Sequence, residues 1–116
     1  MKTGIIVNLQ VEGLHCWPNA DKLMPEVGFL SNIHRHIFHI CAKRLVNHDD
    51  RDIEIIKFKR SVYNYLMEIY FDANADVCNF ENRSCEMLAR EICEYFGCYY
   101  VSVTEDNENG AEVFNQ

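Results

Sequence analysis

The sequence predicts an α+β fold with the element order ββααββ: an antiparallel sheet of four strands with two helices packed on one face. Three observations predict it: two long stretches that alternate apolar and polar residues, two amphipathic helical stretches, and a closing pair of short strands. The 116 residues are 48% hydrophobic and 25% charged, which is typical of a globular protein and too apolar for a disordered one. We therefore expect one domain spanning residues 1–116.

The two long strands are predicted from period-two patterns. The first runs from Ile5 to His15, with apolar residues, a glycine and the terminal histidine on one face. The second runs from Ile33 to Val46 and is rich in β-branched and aromatic residues. Its apolar face opens with His34 and His36. The loop between the two strands contains two prolines, which favour an irregular connection.

The helices are predicted from apolar residues that recur every three or four positions, from Glu54 to Tyr70 and again after Ser84. Ser84 can accept a backbone N–H at the start of the second helix, and Gly97 is suited to end it. A polar stretch from Asp72 to Arg83 separates the two helices. The basic residues of the first helix are expected to form a solvated face; they are Lys57, Lys59 and Arg60.

The last strands are predicted at Tyr99–Thr104 and Ala111–Phe114. Between them, Asn107-Glu108-Asn109-Gly110 ends in an Asn-Gly pair, which tolerates the positive φ angles of a tight hairpin turn.

Composition excludes several classes of function. The formal net charge of −7 argues against nucleic-acid binding, which needs a basic surface. No apolar run approaches the roughly 20 residues that span a bilayer, and no secretory leader is recognised. The six cysteines include no CxxC pair, so we expect reduced thiols rather than a zinc ribbon. These features predict a soluble, cytoplasmic protein.

Three histidines form the candidate chemical site. His15 ends the apolar face of the first strand, and His34 and His36 open that of the second. If the strands pair as a hairpin, the three imidazoles converge, as in a catalytic zinc site with three protein ligands and one open position. The alternative is that they are ordinary surface residues at strand ends. His39 on the opposite face and His48 in a polar turn are predicted not to be ligands.

Short stretches of the chain match motifs of a known family in the family's own order. The matched stretches, each after its family motif, are A-A-H with Gly13-Leu14-His15, H-G-H with His34-Arg35-His36, D-F-x-x-L-K with residues 54–59, N-P-T-S-E-N-L-A with residues 82–89, and E-T with Glu105-Asp106. On these matches, which cover most of the chain, it resembles the 6-pyruvoyl-tetrahydropterin synthase and 6-carboxytetrahydropterin synthase family, which has the T-fold.

The resemblance implies a site and an assembly. His15, His34 and His36 would bind zinc. Glu105 would anchor the guanidine-like edge of a pterin-like or purine-like molecule, since a carboxylate accepts two parallel N–H bonds. The resemblance also implies a homo-oligomer in which subunits pair their sheet edges.

Two departures from the family pattern affect the expected chemistry. Leu30 stands four residues before His34, where the family has its catalytic cysteine. The family's L-D-H matches Phe71-Asp72-Ala73, so the relay histidine is missing. A thiol and an imidazole move protons near neutral pH, so the usual acid–base mechanism lacks its usual groups. Cys16 could substitute, but strand alternation points it away from His15.

Three functions remain open from the sequence. The first is a binding protein that retains zinc and captures a pterin-like or purine-like ligand without the usual proton relay. The second is an active zinc-dependent carbon–oxygen lyase of pterin or 7-deazaguanine (queuosine precursor) biosynthesis with a rewired relay. The third is a structural oligomer that binds no ligand. The fold alone cannot choose among them.

Overall fold

A computed structural model describes residues 1–115 and shows a mixed α+β fold. Six strands form one sheet in the order β3-β4-β1-β2-β5-β6, and the helices pack on one face. The elements are β1 (Thr3–His15), the short helix α1 (Ala20–Leu23), a 3-10 segment (Pro25–Ser31), β2 (His34–Val46), α2 (Ile55–Tyr70), β3 (Phe71–Asp72), β4 (Val77–Asn79), α3 (Cys85–Phe96), β5 (Tyr100–Glu105) and β6 (Asn109–Phe114). None of the helices within this range is long and apolar enough to cross a membrane.

The hairpin of β1 and β2 forms the centre of the sheet. The strands pair antiparallel along their whole length, from Thr3 opposite Val46 to His15 opposite His34. Their alternating patterns were interpreted correctly: Val7, Leu9 and Val11 are buried, and the residues between them are exposed. This face carries the hydrophobic core.

Both long helices cover that face. In α2 the core residues are Phe58, Val62 and Leu66, whereas Ile55 and Ile69, which share the same spacing, are 51% and 52% exposed. At the C-terminal end of the helix, Met67 and Tyr70 rather than Ile69 pack against the core. The exposed positions of Lys57, Lys59 and Arg60 agree with the expected solvated face.

The predicted ends of α3 are confirmed. The Ser84 side chain accepts a hydrogen bond from the backbone N of Met87 at 3.2 Å. Gly97 adopts the left-handed conformation at φ 63°, and its N–H bonds to the carbonyl of Cys93. A residue without a Cβ reaches this conformation at least cost.

The sheet is larger than predicted because two further strands, β3 and β4, lie between α2 and α3, and only Phe71 of β3 precedes the polar stretch Asp72–Arg83. The β4 strand pairs parallel with β1 at Gly13 and Leu14, so the sheet is not wholly antiparallel. Strands of two and three residues are too short to show a period-two pattern, and tertiary pairing decides their structure.

The segment after β4 is bonded to the end of β1. The backbone N of Phe80 donates to the carbonyl of Leu14, and the N of Cys16 donates to the carbonyl of Glu81, each at 2.8 Å. These bonds hold residues 80–83 beside His15.

The turn of the last hairpin lies earlier than predicted. Asp106 and Asn107 have φ angles of 55° and 60°, and the N of Glu108 bonds to the carbonyl of Glu105 at 2.9 Å. Asn109 and Gly110 already belong to β6. The glycine is required for a different reason: a Cβ at position 110 would overlap the carbonyl oxygen of Val103.

We expect Gly110→Ala to lower the free energy of unfolding by about 1–3 kcal/mol, because the added methyl meets rigid backbone that must shift. Chemical denaturation measures this loss. Glu108→Ala, an exposed substitution in the same hairpin, should change stability by less than about 0.5 kcal/mol. Equal stability of Gly110→Ala and the unsubstituted protein would contradict the close approach.

Candidate metal centre

Three imidazoles and one carboxylate converge at one end of the sheet. The ring centroid of His15 lies 4.6 Å from that of His34 and 5.5 Å from that of His36, and the last two are 5.0 Å apart. One ligand atom from each of these histidines and one oxygen of Glu105 all lie within 4.8 Å of one another. Such a group could hold a metal ion.

Strand register places all four side chains. His15 and His34 are direct partners across the β1–β2 pair. On the other side of β2, Glu105 is the partner of Phe38, two residues beyond His36 and on the same face. The fully buried Phe38 ring lies 5.1 Å from the His15 ring and forms an apolar floor beneath the centre.

Each histidine is oriented by a hydrogen bond from Nδ1. His15 Nδ1 donates to the carbonyl of Arg83, and His34 Nδ1 donates to the carbonyl of Asn32, both at 2.8 Å. A carbonyl can only accept, so each Nδ1 carries the proton. In a neutral ring this leaves the Nε2 lone pair free. Outer hydrogen bonds of this kind are typical of metal-binding histidines.

The third histidine is held by a carboxylate. Asp106 Oδ2 lies 2.6 Å from His36 Nδ1, and its Oδ1 accepts the backbone N–H of Ile37 at 2.9 Å. The backbone bond, followed by the His36 bond, lowers the pKa of Asp106. Sequence analysis gave Asp106 no role. Its place beside Glu105 in the matched E-T stretch was the available signal.

Nε2 of His15 is buried, and it has no hydrogen-bond partner among residues 1–115. Glu105 Oε2 lies only 2.7 Å away, but the two atoms do not have hydrogen-bond orientation. Burial, the largest influence, lowers the pKa of His15 despite the opposing Arg83 bond and Glu105 charge. In a neutral ring whose Nδ1 proton is donated to Arg83, Nε2 and the Glu105 oxygen are two electron-pair donors facing each other. That arrangement fits a cation between them.

A cavity of about 480 Å³ opens beside this centre. Leu30 lines it, at the position where the resemblance would place a catalytic cysteine. Cys16 lines it too, contrary to the expectation that it points away, because β1 ends at His15 and alternation no longer applies. Ala73 lies elsewhere, in the exposed turn between β3 and β4.

Cys85 is a further cavity residue that sequence analysis treated only as part of a buried helical stripe. It is the first residue of α3. Burial, and then the charge of Glu105, raises the pKa of its thiol to about 12. The thiol is therefore protonated at neutral pH and is a poor nucleophile.

A polar network between α2 and α3 contacts Arg83, within the segment 80–83. The hydroxyls of Tyr65 and Tyr70 donate to the two oxygens of Glu91 at 2.9 and 2.6 Å. Arg83 Nη1 lies 3.4 Å from the same carboxylate. The network joins α2 and α3 to the residue whose carbonyl orients His15.

A larger cavity of about 920 Å³ lies away from the three clustered histidines. His39, Lys59 and Arg60 are among its lining residues. Its size alone does not make it the chemical site, since the converging donors lie elsewhere. His39 faces this cavity, and His48 is exposed in the turn after β2, so neither joins the cluster.

Comparison with known protein families and with curated proteins gives no match. Among solved structures, the chain is similar to 6-pyruvoyl tetrahydropterin synthase from Caenorhabditis elegans. The identity is 12% and the TM-score 0.62, over 100% of this chain and 97% of that one. At this identity the likeness establishes the architecture: the chain has the T-fold seen in a 6-pyruvoyl tetrahydropterin synthase.

Proposed function

We propose that this chain is a zinc-binding T-fold protein that captures a pterin-like or purine-like small molecule beside the metal. The observation that carries the proposal is the convergence of His15, His34 and His36, each anchored through Nδ1. Ordinary surface histidines are not expected to share this pattern of Nδ1 hydrogen bonds, which is typical of metal-binding histidines.

The donor set suits zinc. Zinc favours imidazole nitrogens and carboxylate oxygens, and a site with three histidine ligands leaves a position for water or a ligand. A bound zinc ion would act as a Lewis acid on an oxygen of the captured molecule. Here the three histidines would hold the ion, and Asp106 and the two backbone carbonyls would hold the histidines.

The cavity suits a small heterocycle. Its volume of about 480 Å³ lies within the usual range for small-molecule sites, roughly 300–1,000 Å³. Trp17 contributes an aromatic wall and Glu105 a carboxylate. The carboxylate can accept two N–H bonds from the guanidine-like edge of a pterin or guanine.

Binding without ordinary synthase chemistry is favoured by the residues at two positions. Leu30 lines the cavity and offers no proton, and Ala73 lies in an exposed turn. The second candidate is an active lyase with a rewired relay. It is supported by Cys16, a thiol that lines the same cavity.

Assembly is supported by unpaired strand edges. Within residues 1–115, the outer edge of β1 is paired only at Gly13 and Leu14, and β6 is paired on one edge. Exposed edges of this length are usually covered or paired with another chain. We therefore propose a closed homo-oligomer in which these edges meet.

The metal proposal predicts about one zinc ion per chain in protein purified without chelators, measured by elemental analysis. His34→Ala should lose most of the metal, since it removes one of three nitrogen ligands. His39→Ala is the matched control from the same strand and should retain it. Equal metal contents in the two variants would contradict the assigned cluster.

The ligand proposal predicts that the protein binds a pterin or guanine, measured by calorimetry. Glu105→Ala should weaken binding by about 1–3 kcal/mol, as expected for loss of a charged hydrogen-bond partner. Formation of 6-pyruvoyl-tetrahydropterin from dihydroneopterin triphosphate should stay near background, since each missing proton-transfer group typically contributes about 10²–10⁴-fold in rate. Robust turnover that Cys16→Ser abolishes would favour the lyase, and absence of any binding would favour a structural oligomer.

The assembly proposal predicts a mass several times that of one chain in light scattering at micromolar concentration. The contribution of the outer edge of β1 is tested with Asn8→Pro. Substitution of Val7 by lysine is less suitable because it would disturb the core. Proline cannot donate a backbone hydrogen bond and is tolerated mainly at strand edges. The same mass measurement on Asn8→Ala separates the effect of the lost backbone N–H from the effect of the lost side chain. A monomeric unsubstituted protein would exclude the assembly.

A further inference from the structure

We propose that Glu91 is a positioning residue of the metal centre: it holds the guanidinium of Arg83, and the main chain of Arg83 in turn holds the ring of His15. The inference rests on the proposed function, because it concerns how well the three histidines are placed for a metal ion. Glu91 lies on α3 and does not line the cavity beside the centre. It acts on the site only through the residues between them.

The Glu91 carboxylate binds donors from α2 and from the segment before α3. The hydroxyls of Tyr65 and Tyr70 donate to its two oxygens at 2.9 and 2.6 Å. Arg83 Nη1 lies 3.4 Å from the oxygen that Tyr70 also contacts. Burial, and then the bond to Glu91, raises the pKa of the Tyr65 hydroxyl to about 12, and the pKa of Tyr70 is raised for the same reasons. Both hydroxyls are therefore donors at neutral pH, and Arg83 is attached to a carboxylate that α2 already fixes.

The attachment matters because few other polar contacts hold Arg83. The main-chain bonds that tie segment 80–83 to the end of β1 are made by Phe80 and Glu81. The N–H of Arg83 donates within the segment, to the carbonyl of Phe80 at 3.0 Å. Within residues 1–115, loss of the ion pair with Glu91 would leave the bond from His15 as the only polar contact between Arg83 and another element.

The two ends of segment 80–83 are held in different ways. The buried Phe80 ring lies 4.9 Å from the ring of Tyr70 and 5.0 Å from that of Phe38, so apolar packing fixes the first end. The Arg83 side chain, in contrast, is 43% exposed. Its position therefore depends on the charge of Glu91 rather than on packing.

The carbonyl of Arg83 sets the direction of the His15 ring. Nδ1 of His15 donates to this carbonyl at 2.8 Å, and Nε2 is the ring nitrogen left for an ion. Outer hydrogen bonds orient metal-binding histidines, and loss of one typically costs about 10–100-fold in metal affinity. Glu91 acts one contact further out, so we expect its loss to have an effect at the lower end of that range.

Cobalt binding tests the inference, because the visible absorption of protein-bound Co²⁺ reports its coordination. Co²⁺ is titrated into the metal-depleted full chain in competition with a chelator. Glu91→Gln keeps the side-chain size and a polar partner for each tyrosine, but it removes the charge that attracts Arg83. We expect Co²⁺ affinity about tenfold weaker. Glu94→Gln, the same change at an exposed position of the same helix, should match the unsubstituted protein.

A double-mutant cycle separates positioning from a purely structural role. Arg83→Met removes the guanidinium but keeps the carbonyl and a long side chain, and it should weaken Co²⁺ binding by a similar factor. In that background Glu91→Gln should have little further effect, because Glu91 acts through Arg83. If Glu91 only held α2 against α3, its loss would cost the same in both backgrounds. Chemical denaturation of each variant shows whether a change in affinity reflects unfolding.

A second measurement needs no metal. The Nδ1 proton of His15 is hydrogen-bonded in a buried ring, so it should give a proton NMR signal in the metal-free protein that is absent from His15→Ala. We expect a sharp signal in the unsubstituted protein and in Glu94→Gln. Exchange with water should broaden it in Glu91→Gln.

The outcomes separate this inference from the function on which it rests. Failure of the unsubstituted protein to bind Co²⁺ would overturn the metal site, whereas the NMR comparison would still test how His15 is held. Equal Co²⁺ affinity and equal Nδ1 signals in the unsubstituted and Glu91→Gln proteins would overturn the role of Glu91 and leave the three-histidine site intact. Additive losses in the double variant would also overturn it, since Glu91 would then act without Arg83.

Discussion

The pairing of β1 with β2 is the constraint on which the histidine cluster depends. Two strands of 13 residues remain in register from Thr3 to His15, so the last residue of one meets the first residue of the other. A slip of one residue would turn the core face of a strand outward. The buried alternation that excludes the slip in the core also keeps His15 on the face of His34 and His36.

Much of the fold and the position of the histidine cluster could be predicted from the sequence, because they follow from local periodicity. The alternation of β1 and β2, the cap at Ser84 and the stop at Gly97 each need only a few neighbouring residues. The convergence of His15 with His34 needs one further assumption, that the two strands pair as a hairpin. Given that pairing, the shared face follows from strand geometry.

The remainder depends on contacts between distant parts of the chain. β4 is strand because β1 offers it a partner at Gly13 and Leu14, which its three residues cannot reveal. The position of Cys16 depends on where β1 ends rather than on its alternation. The role of Asp106 depends on a turn that lies earlier than the Asn-Gly pair indicates. In each case the tertiary partner, not the local pattern, determines the structure.

The bonding of residues 80–83 to the end of β1 links binding at the histidine cluster to the detachment of a neighbouring segment. The carbonyl that orients His15 belongs to Arg83, and the same segment bonds to Leu14 and Cys16. A ligand that binds the histidine cluster only while Arg83 holds His15 raises the free energy needed to detach residues 80–83 by its own binding free energy. Amide hydrogens of β4 and residues 80–83 would then exchange with solvent at rates that follow metal occupancy, so a short edge strand would report on a site it does not touch.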